Sequence, residues 1–105
     1  MAFVRFSLMT PKAGQQQHVR ELIDRLLDYH CTREGFITAF RLDPDEHDPH
    51  SFIGRVSFWE TEEHANAVAM DDHDIALQSE IKRFVDDETH EERSFTAQMF
   101  EAKGS

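Results

Sequence analysis

Phe52-Ile53-Gly54-Arg55-Val56-Ser57-Phe58-Trp59-Glu60-Thr61-Glu62-Glu63-His64-Ala65 is the stretch on which the fold turns. It reads as a buried strand that ends in the chain's one tryptophan and runs straight into a helix start. Side chains alternate across a strand, so Phe52, Val56 and Phe58 share one face while Ile53, Arg55, Ser57 and Trp59 share the other. Both faces carry large apolar groups, and one mixes them with an arginine and a serine. A sheet with one wet face has no use for that pattern. It predicts a sheet covered on both sides, by helices and by something else. Thr61 is a good N-cap, with Glu62 and Glu63 in the first turn, where the helix dipole favours anions.

Toward the amino terminus, residues 36–42 form a second strand that is also apolar on both faces. Between the two lies Asp43-Pro44-Asp45-Glu46-His47-Asp48-Pro49-His50, whose prolines and acids mark a hairpin-type loop. A helix is predicted from about Gln15 to Arg33, because Val19, Leu22, Ile23, Leu26, Leu27 and His30 repeat at helical spacing and Gly35 is a natural terminator. Residues 3–9 alternate as the first strand, with Val4, Phe6 and Leu8 on one face and Phe3, Arg5, Ser7 and Met9 on the other. Toward the carboxyl terminus, the helix from Thr61 runs to about Met70 and breaks at Asp71-Asp72-His73-Asp74, where an aspartate can cap a second piece carrying Leu77, Ile81, Phe84 and Val85. An acidic solvated loop over 86–92 then leads to a last strand at 94–100.

The order strand, helix, strand, strand, helix, strand is that of a ferredoxin-like split-βαβ fold. It predicts one α+β domain over residues 1–105, a four-stranded antiparallel sheet with its first and third strands central and its helices on one face. The expected assignment gives Val4, Phe6, Leu8, Phe52, Val56 and Phe58 to the helices. The opposite face would then hold Phe3, Met9, Trp59 and Phe100, with Phe40 or Ile37, and cannot be left in water. Two such sheets packed face to face would cover it, which predicts a homodimer closed as an α+β barrel.

Composition sets the outer limits. Hydrophobic residues make up 39% of 105, including nine Phe, enough for a core without metal or disulfide support. A formal charge of -10, from 21 acids against 11 Lys and Arg, argues against nucleic acid or an anionic membrane as partner. Cys31 is alone, which fits a reducing, cytoplasmic setting. No signal-peptide pattern opens the chain, and no apolar run approaches the roughly 20 residues that span a bilayer.

Glu34-Gly35-Phe36-Ile37, the Asp/Pro/His loop, and Phe58-Trp59-Glu60-Thr61-Glu62-Glu63 before an Ala-rich helix resemble the antibiotic biosynthesis monooxygenase family over nearly the whole chain. That resemblance implies a dimeric α+β barrel and oxidation of phenol- or quinol-like substrates by molecular oxygen, with no cofactor. Haem degradation, found elsewhere in the family, is disfavoured. That branch needs an asparagine on the first strand, where this chain has Ser7 and no asparagine before Asn66. It also needs a ligating histidine where this chain reads Ala67-Val68-Ala69-Met70. His73 matches a looser histidine position of the family.

The residues themselves point to one constellation: Arg5 and Ser7 on the first strand, with Arg55, Ser57 and Trp59 on the third. Paired antiparallel strands bring same-face residues within about 5 Å. Two guanidiniums, two hydroxyls and an indole in one apolar cavity make a small-molecule site. Arg55 would stabilise a phenolate electrostatically, Trp59 would stack on the ring, Arg5, Ser7 and Ser57 would bind substrate, and His73 would act as base. The plainer reading has Arg5 and Arg55 pairing with acids across the dimer. His30 reads as a core-edge histidine, and the histidines and acids of the 43–50 loop as solvated, with no dedicated metal site. The leading function is a cofactor-independent monooxygenase on a small aromatic. The alternative is a dimeric barrel that binds an aromatic or anionic small molecule without turnover.

Overall fold

The structure, a computed structural model of the chain, describes residues 1–47 and 52–104. Asp48, Pro49 and His50 of the acidic loop lie outside them. Four strands, β1 (Ala2–Met9), β2 (Phe36–Leu42), β3 (Ile53–Trp59) and β4 (Glu91–Ala97), form one sheet in the order β2-β3-β1-β4. Every neighbouring pair is antiparallel. Helices α1 (Gln16–His30), α2 (Glu62–Ala69) and α3 (Asp72–Lys82) complete a ferredoxin-like α+β fold. The expected central pair is observed, with Arg5 opposite Ser57 and Ser7 opposite Arg55.

Local chemistry explains where elements begin and end. Gly35 takes φ +82° after α1, and a Cβ there would lie 2.2 Å from the His64 ring, so both the turn and the approach of α2 require glycine. Thr61 caps α2 by accepting the His64 backbone N–H at 3.2 Å. Asp71 caps α3 by accepting from the His73 N–H at 2.9 Å. Its other oxygen accepts the Tyr29 hydroxyl at 2.6 Å, which ties α1 to α3. That bond holds the Asp71 carboxyl below its ordinary value and raises the Tyr29 phenol. The last strand starts three residues earlier than its alternation suggested. Glu91 and Glu92 pair with Leu8 and Ser7, because extending the ladder on β1 satisfies backbone groups that a loop would leave open.

One expectation is corrected. The alternation was read in the right phase, but the two faces are exchanged. The face that meets the helices is Phe3, Arg5, Ser7, Met9, Ile53, Arg55, Ser57 and Trp59. Met9 and Ile53 join Val19, Leu22, Ile23 and Leu26 of α1, together with Ile81 and Val85, in the main core. Trp59 packs with Ala65 and Val68 of α2, flanked by Phe3 and Phe36. Val4, Phe6, Leu8, Val56 and Phe58 point to the opposite side of the sheet, in register with Phe40 and Phe95. Phe100 lies beyond β4. Because both faces of β1 and β3 are rich in large apolar groups, hydrophobicity alone could not say which one the helices would take.

That exchange has a measurable consequence. Ile53→Ala removes a core methylene set from a site that is 2% exposed. It should cost about 2–5 kcal/mol in denaturant unfolding, by the same amount at every protein concentration. A loss that vanishes on dilution would place Ile53 at a subunit contact instead.

Candidate functional site

A cleft of about 560 Å³ opens between the sheet and the helices. β1 supplies Arg5, β3 supplies Arg55, Ser57 and Trp59, and β4 supplies Glu92 and Ser94. His30 ends α1 on its wall. Ala65, Val68 and Ala69 of α2 and Asp74, Ile75, Gln78 and Lys82 of α3 close the other side. Of the residues proposed from sequence, Arg5, Arg55, Ser57 and Trp59 come together here. Ser7 shares their face but is engaged at its edge, 3.1 Å from Nε2 of His90, and does not line the cleft. His73 also lies outside it. It is exposed on the first turn of α3, with its ring 4.2 Å from that of Tyr29.

The two arginines of the cleft are held differently. Arg5 donates 2.6 Å to Oγ of Ser94 and also to Oδ1 of Asn66, and its guanidinium lies over the Phe3 ring. Its partners are all neutral. Arg55 is 6% exposed, makes no hydrogen bond or ion pair among the described residues, and has a buried Nε without a partner. Burial pushes its guanidinium below the ordinary arginine value. Glu92 and Asp74 work against that at longer range, and Arg5 adds to it.

Arg41 supplies an internal comparison. It sits directly across the ladder from Arg55 on the same face. Yet its guanidinium reaches both oxygens of Asp24 at 2.7 Å and Asp43 at 3.1 Å, and its protonated form is favoured, first by Asp43. The fold therefore pairs one of two adjacent arginines with carboxylates and leaves the other, more buried one alone. The cleft carries Arg5, Arg55 and Lys82 against Asp74 and Glu92, a positive bias within a chain of net charge -10. Such a local field favours an anionic or anion-forming small molecule.

Trp59 and Ser57 are coupled. The indole Nε1–H donates to Oγ of Ser57 at 3.0 Å, and the ring is buried against Ala65 and Val68. Phe36 and His30 meet that ring edge-on, at centroid distances of 5.5 and 5.4 Å.

Two residues of the site escaped the sequence reading. Nε2 of His30 lies 2.5 Å from Oδ1 of Asp74, with side chains only 5% and 3% exposed. Nδ1 of His30 is buried without a partner. A histidine on the apolar stripe of α1 and an acid in the first turn of α3 each have ordinary explanations. Only the docking of α1 on α3 joins them. The remaining histidines form no comparable site: among the described residues, no three groups that could ligate a metal converge.

No protein-family model matches the chain, and no curated protein does. Solved structures do. A mutant of SnoaB, a cofactor-independent oxygenase from Streptomyces nogalater, superposes with a TM-score of 0.81 at 13% identity, over 94% of this chain and 95% of that one. A conserved protein from Methanosarcina mazei gives 0.81 at 15% identity, over 93% and 94%. An antibiotic biosynthesis monooxygenase gives 0.76 at 12% identity, over 92% and 99%. The chain thus has the fold of the antibiotic biosynthesis monooxygenases along nearly its full length.

The unpaired guanidinium predicts an unusual mutant. Arg55→Met should leave the unliganded protein no less stable, with a gain on the order of 1 kcal/mol, since it removes a buried charge that nothing neutralises. Asp74→Ala, which leaves the buried His30 Nε2–H without an acceptor, should lose about 1–3 kcal/mol. Thermal and urea melts of the two variants check both signs.

Proposed function

We propose that this chain is a monooxygenase requiring neither metal nor flavin, which oxidises a small phenol- or quinol-like aromatic in the cleft beneath its helices. The observation that carries the reading is the buried, unpaired Arg55 guanidinium in a cleft that Trp59 also lines. A neutral phenol is a poor electron donor to dioxygen, and its phenolate is a far better one. A fixed positive charge in a low-dielectric cleft stabilises that anion without reorganisation at the moment of reaction. Trp59, fixed by Ser57, backs the wall of the cleft, and Arg5 supplies a further polar contact. The fold shared with SnoaB, a cofactor-independent oxygenase, supports the reaction type.

The electron balance closes on substrate and oxygen alone. The phenolate passes one electron to dioxygen, and the resulting phenoxyl radical and superoxide combine at a ring carbon bearing hydrogen. The peroxide anion takes back the proton released when the phenol ionised, and the hydroperoxide then loses water. One oxygen atom becomes the new carbonyl and the other leaves as water, so a phenol and dioxygen give a quinone and water. Arg55 holds the negative charge on the phenolic oxygen until the first electron leaves.

Oxygen uptake with a panel of simple phenols, naphthols and quinols tests the proposal. Turnover is expected in the wild type, falling about 10²–10³-fold in Arg55→Met. Tight binding of an aromatic anion without any oxygen consumption would instead identify a binding barrel and end the enzymatic reading.

The homodimer belongs to the same proposal, with the exchanged face as its contact. Phe40 and Phe95 are 55% and 53% exposed on the side of the sheet away from the helices, alongside Phe6, Val56 and Phe58. Packing two copies through this face removes an apolar surface that a lone chain would leave in water. Sedimentation at micromolar concentration should give a dimer, and Phe40→Asp should give a folded monomer. A wild type that sediments as a compact species of about 12 kDa would overturn the dimer.

A further inference from the structure

We infer that His30, held by Asp74, is the proton acceptor of this cleft, and that the substrate therefore enters carrying an intact aromatic hydroxyl. The inference rests on the oxygenase reading above for the use of the resulting anion, but not for the proton transfer itself. An ionised carboxylate only accepts hydrogen bonds, so in the proposed resting state His30 donates from Nε2 across the 2.5 Å contact to an ionised Asp74 Oδ1. The neutral ring then keeps its lone pair on Nδ1, which is buried and has no partner among the described residues. Arg55 Nε is likewise buried and unpartnered, and both residues line the one cleft. The site thus lacks one donor for His30 and one acceptor for Arg55. In the proposed complex a single hydroxyl answers both, giving its proton to Nδ1 while its oxygen faces the guanidinium. In the transfer the O–H bond breaks, its electron pair stays on oxygen, and an N–H bond forms on Nδ1. Asp74 neutralises the imidazolium.

The charged groups that bear on this transfer come from every element around the ring. Asp74 stands on α3, Arg55 on β3, Arg5 on β1 and Glu92 on β4, while Tyr29 and Arg33 flank His30 in its own chain segment. The two arginines favour the phenolate over the neutral phenol, and Asp74 favours the protonated imidazole over the free ring. Transfer within the cleft is therefore assisted from both ends, with no net charge change in the complex.

The probe is 4-nitrophenol, whose ionised and neutral forms differ in absorbance, mixed with protein about two pH units below the pKa of the free dye. Wild type is expected to bind it as the phenolate. His30→Gln, of similar size, should bind it with the neutral spectrum, and Asp74→Asn, which keeps the side-chain volume, should recover only part of the phenolate band. A full phenolate band in His30→Gln, or no dye binding by the wild type, overturns the inference. A kinetic arm separates proton transfer from mere positioning. His30→Gln should slow weakly acidic phenols by about 10²–10⁴-fold while sparing polyfluorinated phenols that are already ionised. An equal loss on both would mean that His30 is only structural. Absence of oxygen uptake with an intact dye result would sink the oxygenase reading alone.

Discussion

A guanidinium taken out of water without a carboxylate to meet it is the constraint around which this molecule is arranged. Arg55 lies on a central strand, beneath helices, where desolvation of a charge is most unfavourable. Its neighbour Arg41 shows that the fold has carboxylates to offer at the same height of the same face. The two acids that line the cleft are committed elsewhere or held at range. Asp74 is bound to His30, and Glu92 lies 3.4 Å from His90. The positive charge is kept available by occupying its natural partners. Stability is given up at one residue, and among the described residues no carboxylate restores it.

The rest of the architecture serves to make that arrangement rigid. Arg55, Ser57 and Trp59 are alternate residues of one strand, so they project on one side at fixed spacing. Arg5 is opposite Ser57 on the adjoining strand, and its guanidinium is tied to Ser94 of β4 and Asn66 of α2. Ser57 in turn fixes the tilt of Trp59 through the indole N–H. Side chains carried by paired strands and locked by such bonds keep their geometry better than groups on loops.

Alternation made the phase of the strands legible from sequence, and with it the co-facial set Arg5, Arg55, Ser57 and Trp59. Thr61, Asp71 and Gly35 announced the helix boundaries through capping and turn chemistry that is local in the chain. The side of the sheet was not legible. Val4, Phe6 and Leu8 are as apolar as Phe3, Met9 and Ile53, and the choice between them depends on which face is complementary to Leu22, Ile23 and Leu26 once α1 crosses over. The His30–Asp74 pair was hidden for a related reason. The partners are 44 residues apart, each fits its own helix without comment, and the contact exists only through tertiary docking. The start of β4 is not legible because Glu91 and Glu92 continue the acidic composition of the preceding loop, while ladder pairing with β1 overrides that composition.

The exchange of faces also changes what the site depends on. If the cleft lay between two sheets, its geometry would hinge on assembly. Lying under the helices, it depends instead on how α3 sits against α1, and two successive residues of α1 set that contact. Tyr29 donates to Asp71, the cap of α3, and His30 meets Asp74 one turn further on. A helix held at two points within its first turn can neither roll nor slide without breaking one of them. The bond at the cap is half-buried and the bond in the cleft is buried, so the outer one guards the inner. Tyr29 therefore matters to the site although it does not line it. The precision of the His30–Asp74 contact is imposed by the packing of two helices rather than by the local geometry of either.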